Sequence, residues 1–216
     1  IALQTHGTGN GTIENNDTID FLASTIGGNL NATASAGNIT DTGALTVTGT
    51  TTLVTSANNA TISLDTTTNA FTGAFTITTN DDSGADADVT IDGGTTAVII
   101  AASTIDGDLT VTSGNASGIT DSGAVTVAGN LVATTDANNG VINLGTTTVT
   151  GTMDLTSHGS GDVTIDNATT DIVLIASEIG GNLTLTTGNA SGITDTGTVT
   201  VGGNLVATTD ANNGVI

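Results

Sequence analysis

Twenty-one carboxylates and two histidines are the only side chains in this 216-residue chain suited to acid–base chemistry or metal ligation. The densest carboxylate run is Asn80-Asp81-Asp82-Ser83-Gly84-Ala85-Asp86-Ala87-Asp88. Alternating carboxylates in a Gly-containing loop can ligate Ca²⁺, which takes about six to eight oxygens. Asp81, Asp82, Asp86 and Asp88 are the candidate metal ligands, and a solvated loop is the plainer reading. The run lacks the EF-hand spacing with its terminal Glu, and it lacks the Gly-Gly-x-Gly-x-Asp repeat of calcium-binding β-rolls. Asp41, Asp121 and Asp195 share one place in an Ile-Thr-Asp motif. They lie about three turns, ~14 Å, apart and cannot form one site. As turn residues they are expected to cap neighbouring backbone N–H groups. His6 and His158 match in Thr-His-Gly-Thr-Gly and Ser-His-Gly-Ser-Gly, and both read as exposed turn histidines. The Gly7-Thr-Gly9-Asn-Gly11 run resembles a phosphate loop only superficially, because no helix pattern and no Lys follow it. No Ser-His-Asp set has a supporting spacing. The expectation is no enzyme and no required cofactor, with calcium the one ion to consider.

Composition narrows the partners. There is no Lys, Arg, Cys, Pro, Trp or Tyr, and the net charge is −21. Without basic residues the counterion release that drives nucleic-acid binding is missing. The same charge repels an anionic membrane surface, and the longest apolar run, Ala97 to Ala102, is too short to span a bilayer. No disulfide or thiolate site exists. Disorder is not expected either, because charged residues are only 10% and Val, Ile, Leu and Thr abound. The chain opens at Ile1 without a charged-then-apolar leader, so any targeting segment is expected to lie elsewhere or to have been removed.

Internal repetition is the main signal. Residues 114–142 and 188–216 differ at three positions at a shift of 74, and residues 37–62 hold a more diverged copy. Ser24–Leu30, Ser103–Leu109 and Ser177–Leu183 also align. Three units follow, at 1–74, 75–152 and 153–216, the third stopping early. Each unit subdivides at apolar pairs: Ile1/Leu3, Leu30/Ala32, Leu53/Thr55, Phe75/Ile77, Leu109/Val111, Leu131/Ala133, Met153/Leu155, Leu183/Leu185 and Leu205/Ala207. This predicts nine turns of about 22 residues with every third turn longer. Within a turn, Leu183–Thr186, Gly192–Asp195 and Thr198–Val201 read as three short strands with Gly, Asn and Asp between them.

Alternation turns Leu183 and Leu185 inward and Thr184 and Thr186 outward. One such strand buries no core, but stacked turns do, because like positions recur every ~4.8 Å. The fold class is therefore all-β: a three-sided parallel β-helix (β-solenoid), one continuous rod of roughly 43 Å at that spacing. Asn29, Asn130, Asn182, Asn204 and Asp108 are expected to form side-chain ladders at the corners. Gly28, Gly129, Gly181 and Gly203 are expected to supply positive φ there. In the long turns Leu22, Ile99 and Ile175 point outward, which suggests a contact surface or a local bulge. Asn-x-Ser/Thr sequons are frequent, as chance provides in a chain this rich in Asn and Thr.

The strings Gly-Asn-Leu-Thr-Leu-Thr-Thr, Gly-Ile-Thr-Asp-Thr-Gly and Thr-Val-Thr-Val-Gly-Gly resemble the repeats of giant bacterial surface proteins. These are the filamentous-haemagglutinin-like adhesins and related β-strand-repeat proteins. The resemblance implies a secreted, right-handed β-helix at the cell surface, serving as the shaft of a fibre, sheath or adhesin. Its partners would be flanking repeats or other copies end to end, with lateral self-association through an apolar stripe or divalent cations. Two rivals remain: an ice-binding Thr-rich solenoid, and a calcium-dependent carbohydrate-binding or enzymatic β-helix.

Overall fold

The computed structural model describes residues 1–80, 86–210 and 213–216. Strands are short because Gly, Asn, Asp and Ser interrupt every apolar alternation. The first nine are β1 (Gly11–Asn15), β2 (Ile19–Phe21), β3 (Ser24–Ile26), β4 (Leu30–Ala34), β5 (Ile39–Asp41), β6 (Leu45–Val47), β7 (Thr51–Thr55), β8 (Ile62–Leu64) and β9 (Ala70–Phe71). The next ten are β10 (Phe75–Thr78), β11 (Val89–Asp92), β12 (Val98–Ile100), β13 (Ser103–Ile105), β14 (Leu109–Ser113), β15 (Ile119–Asp121), β16 (Val125–Val127), β17 (Leu131–Asn138), β18 (Ile142–Leu144) and β19 (Thr147–Val149). The last eight are β20 (Met153–His158), β21 (Val163–Asp166), β22 (Ile172–Leu174), β23 (Ser177–Ile179), β24 (Leu183–Thr187), β25 (Ile193–Asp195), β26 (Val199–Val201) and β27 (Leu205–Thr209).

Pairing is parallel, and each strand is followed in its stack by the strand three places on in the chain: β1-β4-β7-β10, β2-β5-β8-β11-β14-β17-β20, β3-β6-β9 and β12-β15-β18-β21-β24-β27. Three strands per turn make a three-sided solenoid of about nine turns among the described residues. Among the described residues three sheets result, and no strand pair is antiparallel.

The long intervals in the sequence have a specific origin. Leu109 stacks on Val89, and Leu183 stacks on Val163. They do not stack on Phe75 and Met153, the preceding apolar pairs. Among the described residues each long interval holds one three-strand turn plus a fourth strand, so the second unit has ten described strands, β10 to β19. The motif therefore moves to the next side of the coil at every unit. At each changeover one long strand lies under two short ones. β10 pairs with the end of β12 (Phe75–Ile100) and with β13 (Thr78–Thr104). β20 likewise pairs with β22 (Met153–Leu174) and β23 (Thr156–Glu178). In the first unit Ile1–Gln4 does the same below β2 and β3, with Gln4 bridged to Thr25. We call these three places seams.

One predicted register shifts by two residues. Leu30 lies under Thr51, and Ala32 lies under Leu53. The lumen column is thus Leu30–Thr51–Phe75, where a small side chain makes room for the ring above. Phe21, Phe71 and Phe75 are all buried, and Phe71 meets Phe75 edge to face at 4.7 Å between centroids. Higher in the coil Leu109–Leu131–Met153 and Val111–Ala133–Leu155 are continuous buried apolar columns, with buried Ser113, Thr135 and Ser157 beside them. Each large apolar side chain contributes about 1.5–3 kcal/mol on burial, and no turn could bury them alone.

Candidate functional site

The acidic residues are placed along the rod and not gathered. Asp81 and Asp82 lie outside the described residues. Asp88 is used structurally, since its Oδ1 accepts the Asp108 N–H at 2.8 Å. The Asp86 carboxylate faces the Asn59 amide, which can turn its nitrogen to donate at 2.6 Å. Among the described residues no group of three or more His, Cys, Asp or Glu is arranged to hold a metal ion.

Asp41 and Asp121 cap backbone one turn above, as the sequence suggested. Asp41 Oδ1 accepts the N–H groups of Asp65 (3.0 Å) and Thr66, and its Oδ2 accepts the Asn69 amide at 2.6 Å. Burial pushes the Asp41 carboxyl above its ordinary value, against the pull of the Asn69 and backbone hydrogen bonds. Asp121 accepts the Gly145 N–H at 2.9 Å and the Thr146 hydroxyl. Asp195, the third of the set, is exposed. His158 is exposed, and its Nδ1 lies 2.6 Å from the Thr135 carbonyl. A carbonyl only accepts, so this nitrogen carries the proton. His6 is also exposed.

The corner ladders exist, in a form different from stacked amides. Asn10, Asn29, Asp88, Asp108, Asn130, Asp162 and Asn182 each use Oδ1 to accept a main-chain N–H one turn above. The amides of Asn130 and Asn182 also donate down to Asp108 and Asp162. The glycines expected to turn the chain at these corners have another role. Gly28, Gly129, Gly181 and Gly203 are not in the positive-φ region, which instead holds Gly7, Gly94, Gly118, Gly159 and Gly192. A Cβ at Gly203 would sit 2.6 Å from Asn182 Oδ1, and Gly28, Gly129 and Gly181 are crowded in the same way. Glycine is required here for close approach, not for turn conformation.

The seams carry a device that residue-type reasoning missed. Where a long strand passes under the gap between two short ones, one inward-lying N–H has no strand partner. A buried serine takes it: Leu3 N–H donates to Ser24, Ile77 N–H to Ser103 (3.0 Å), and Leu155 N–H to Ser177 (3.2 Å). Each serine hydroxyl then donates to the carbonyl two residues before it, at Leu22, Ala101 or Ile175. The recurrence of Ser in STI, STI and SEI was visible in the sequence. Its partner was not, because the pairing depends on which strand lies beneath. Beside two seams the surface dips into shallow grooves floored by Ala23 and Ala176. The latter includes Asp154 and Glu178, and burial pushes the Asp154 carboxyl upward.

The outward apolar residues do not line up. Leu22 is exposed, while Ile99 and Ile175 are half-buried. Leu22 lies between β2 and β3, Ile99 within β12, and Ile175 between β22 and β23, so the three stand at different places around the coil. Outward threonines form columns, the longest being Thr78–Thr104–Thr126–Thr148. Two residues upstream of these stand Thr76, Ala102, Ala124 and Thr146, so a second unbroken column is missing beside it.

The open end gives the sharpest contrast. Leu131, Ala133 and Val125 are buried under Met153, Leu155 and Thr147. Their counterparts in the near-identical third unit are Leu205, Ala207 and Val199. Leu205 is 59% exposed against 1% for Leu131, and Ala207 and Val199 are half-buried. Together with Leu183, Leu185 and Ile193 they line an apolar opening into the lumen.

A family model of repeats, "Repeats of unknown function (DUF5649)", matches residues 8–78, 86–144 and 160–216. The chain belongs to this family. The three matches start after Ile1–Gln4, after β10 and after β20, and the first runs through β10. No curated protein and no solved structure matches the chain.

Proposed function

We propose that this chain is a length of shaft in a long extracellular bacterial fibre, sheath or adhesin, acting as a spacer of fixed stiffness and not as a catalyst. The observation that carries this reading is the stacking of one repeat on the next: Leu131 lies under Met153 and Ala133 under Leu155, so the apolar rungs of one repeat are buried by the repeat that follows. Continuous parallel ladders and a dry lumen supply stiffness. Carboxylates on the outside keep the rod hydrated and its copies apart. No cofactor is needed for any of this.

An ice-binding surface has less support, because the Thr78–Thr148 column lacks a matching neighbour. A calcium-dependent carbohydrate site has less as well, because Asp88 is engaged in its corner ladder. The test is labelling of intact cells that make the full protein, using antibody against this segment. Labelling along fibres or a sheath on unpermeabilised cells is expected. Labelling only after permeabilisation would refute the placement outside the cell.

A further inference from the structure

We infer that an array of these units shows any once-per-unit surface on three sides in rotation. A unit holds ten strands and a turn holds three, so each unit ends one side further around the coil. The seam serines record this directly. Ser24 lies in the stack β3-β6-β9, Ser103 in the stack β13-β16-β19, and Ser177 in the stack β23-β26. The corner ladders rotate with them. Asn10 and Asn29 precede β1 and β4, Asp108 and Asn130 precede β14 and β17, and Asn182 and Asn204 precede β24 and β27.

Three units restore the starting side after ten turns. At ~4.8 Å per turn, neighbouring copies of a surface are about 16 Å apart along the axis but a third of a revolution apart around it. Copies on the same side are about 48 Å apart. A flat partner lying along one side therefore meets only every third unit, and a partner contacting every unit must wind around the rod. This holds whether or not the shaft reading is right, since it depends on strand count alone.

The chain has no native cysteine, so paired spin labels can read the geometry. Thr25, Thr104 and Glu178 are equivalent, exposed, outward positions just after the three seams. Three double variants, T25C/T104C, T104C/E178C and T25C/E178C, give three distances by pulsed dipolar spectroscopy. Rotation predicts that the outer distance falls well short of the sum of the two inner ones. An outer distance equal to that sum would place all three on one line and overturn the inference. Thr46, Thr126 and Thr200 form a second equivalent trio, and the same two outcomes apply there if a label at the first trio perturbs folding.

Discussion

Thr51 is the residue most at odds with its surroundings. It is fully buried in the lumen, and its hydroxyl oxygen has no hydrogen-bond partner. An orphaned buried polar group costs about 1–3 kcal/mol, so Thr51→Val is expected to stabilise the chain by about 1 kcal/mol, read as a higher urea midpoint. Asp41 gives a pH effect of definite sign. Burial raises its folded-state value above the ordinary carboxyl value of 3.8, so in the window just above 3.8 the folded state holds more proton than the unfolded one. Its contribution to stability therefore falls as pH rises through that window. Wild type should melt at a lower temperature as pH is raised from the ordinary carboxyl range toward neutrality. Asp41→Asn would remove the charge but set an NH₂ against the Asn69 amide, whose own oxygen already accepts the Leu45 N–H at 2.8 Å. That variant is expected to lose stability at every pH, and a gain at pH 7 would show that the charge and not the hydrogen-bond pattern dominates.

Serine stitches and short strands belong to the scale of the element. Ser177→Ala leaves the buried Leu155 N–H without an acceptor, which costs about 1–3 kcal/mol. A urea midpoint unchanged from wild type would mean that the hydroxyl is dispensable. Ser160, an exposed turn serine on Asn139, is the control whose replacement should cost less. The strands themselves were legible: alternation places Leu183, Ile193 and Val199 in β24, β25 and β26 as expected from the sequence. Inward and outward assignment was also legible, because period-two alternation holds through nearly every strand. The phase was not. An interval of 30 residues between Met153 and Leu183 fits one long turn as well as one turn plus a strand, and only the partner of Leu183 decides between them. The glycines show the same limit. Gly before Asn reads as a turn signal, whereas its reason for being Gly is the oxygen of a residue about 20 positions away.

At the scale of the whole molecule, charge and geometry act together. A net charge of −21 with no basic residue is laid along a narrow rod, so self-repulsion opposes both folding and bundling. Raising ionic strength is expected to raise the melting temperature by screening it. Divalent cations are expected to promote side-by-side association, seen as increased light scattering that a chelator reverses. An unchanged scattering signal at millimolar Ca²⁺ would remove cation bridging as a mode of assembly. No single apolar stripe is available for bundling, because Leu22, Ile99 and Ile175 are spread around the coil. On the rotation inferred above, every side of the rod is alike when averaged over three units.

The three-strand turn with a unit of ten strands is tested most directly by disulfide trapping. Thr164 and Thr184 are adjacent rungs of one stack, about 4.8 Å apart and within the Cα range that a disulfide spans. Under mild oxidation T164C/T184C should close an intramolecular disulfide in high yield, and D154C/T184C should not. If the long interval were instead a single four-strand turn, Met153 would lie beneath Leu183 and Asp154 beneath Thr184. Closure of D154C/T184C, with T164C/T184C left reduced, would contradict the fold described here.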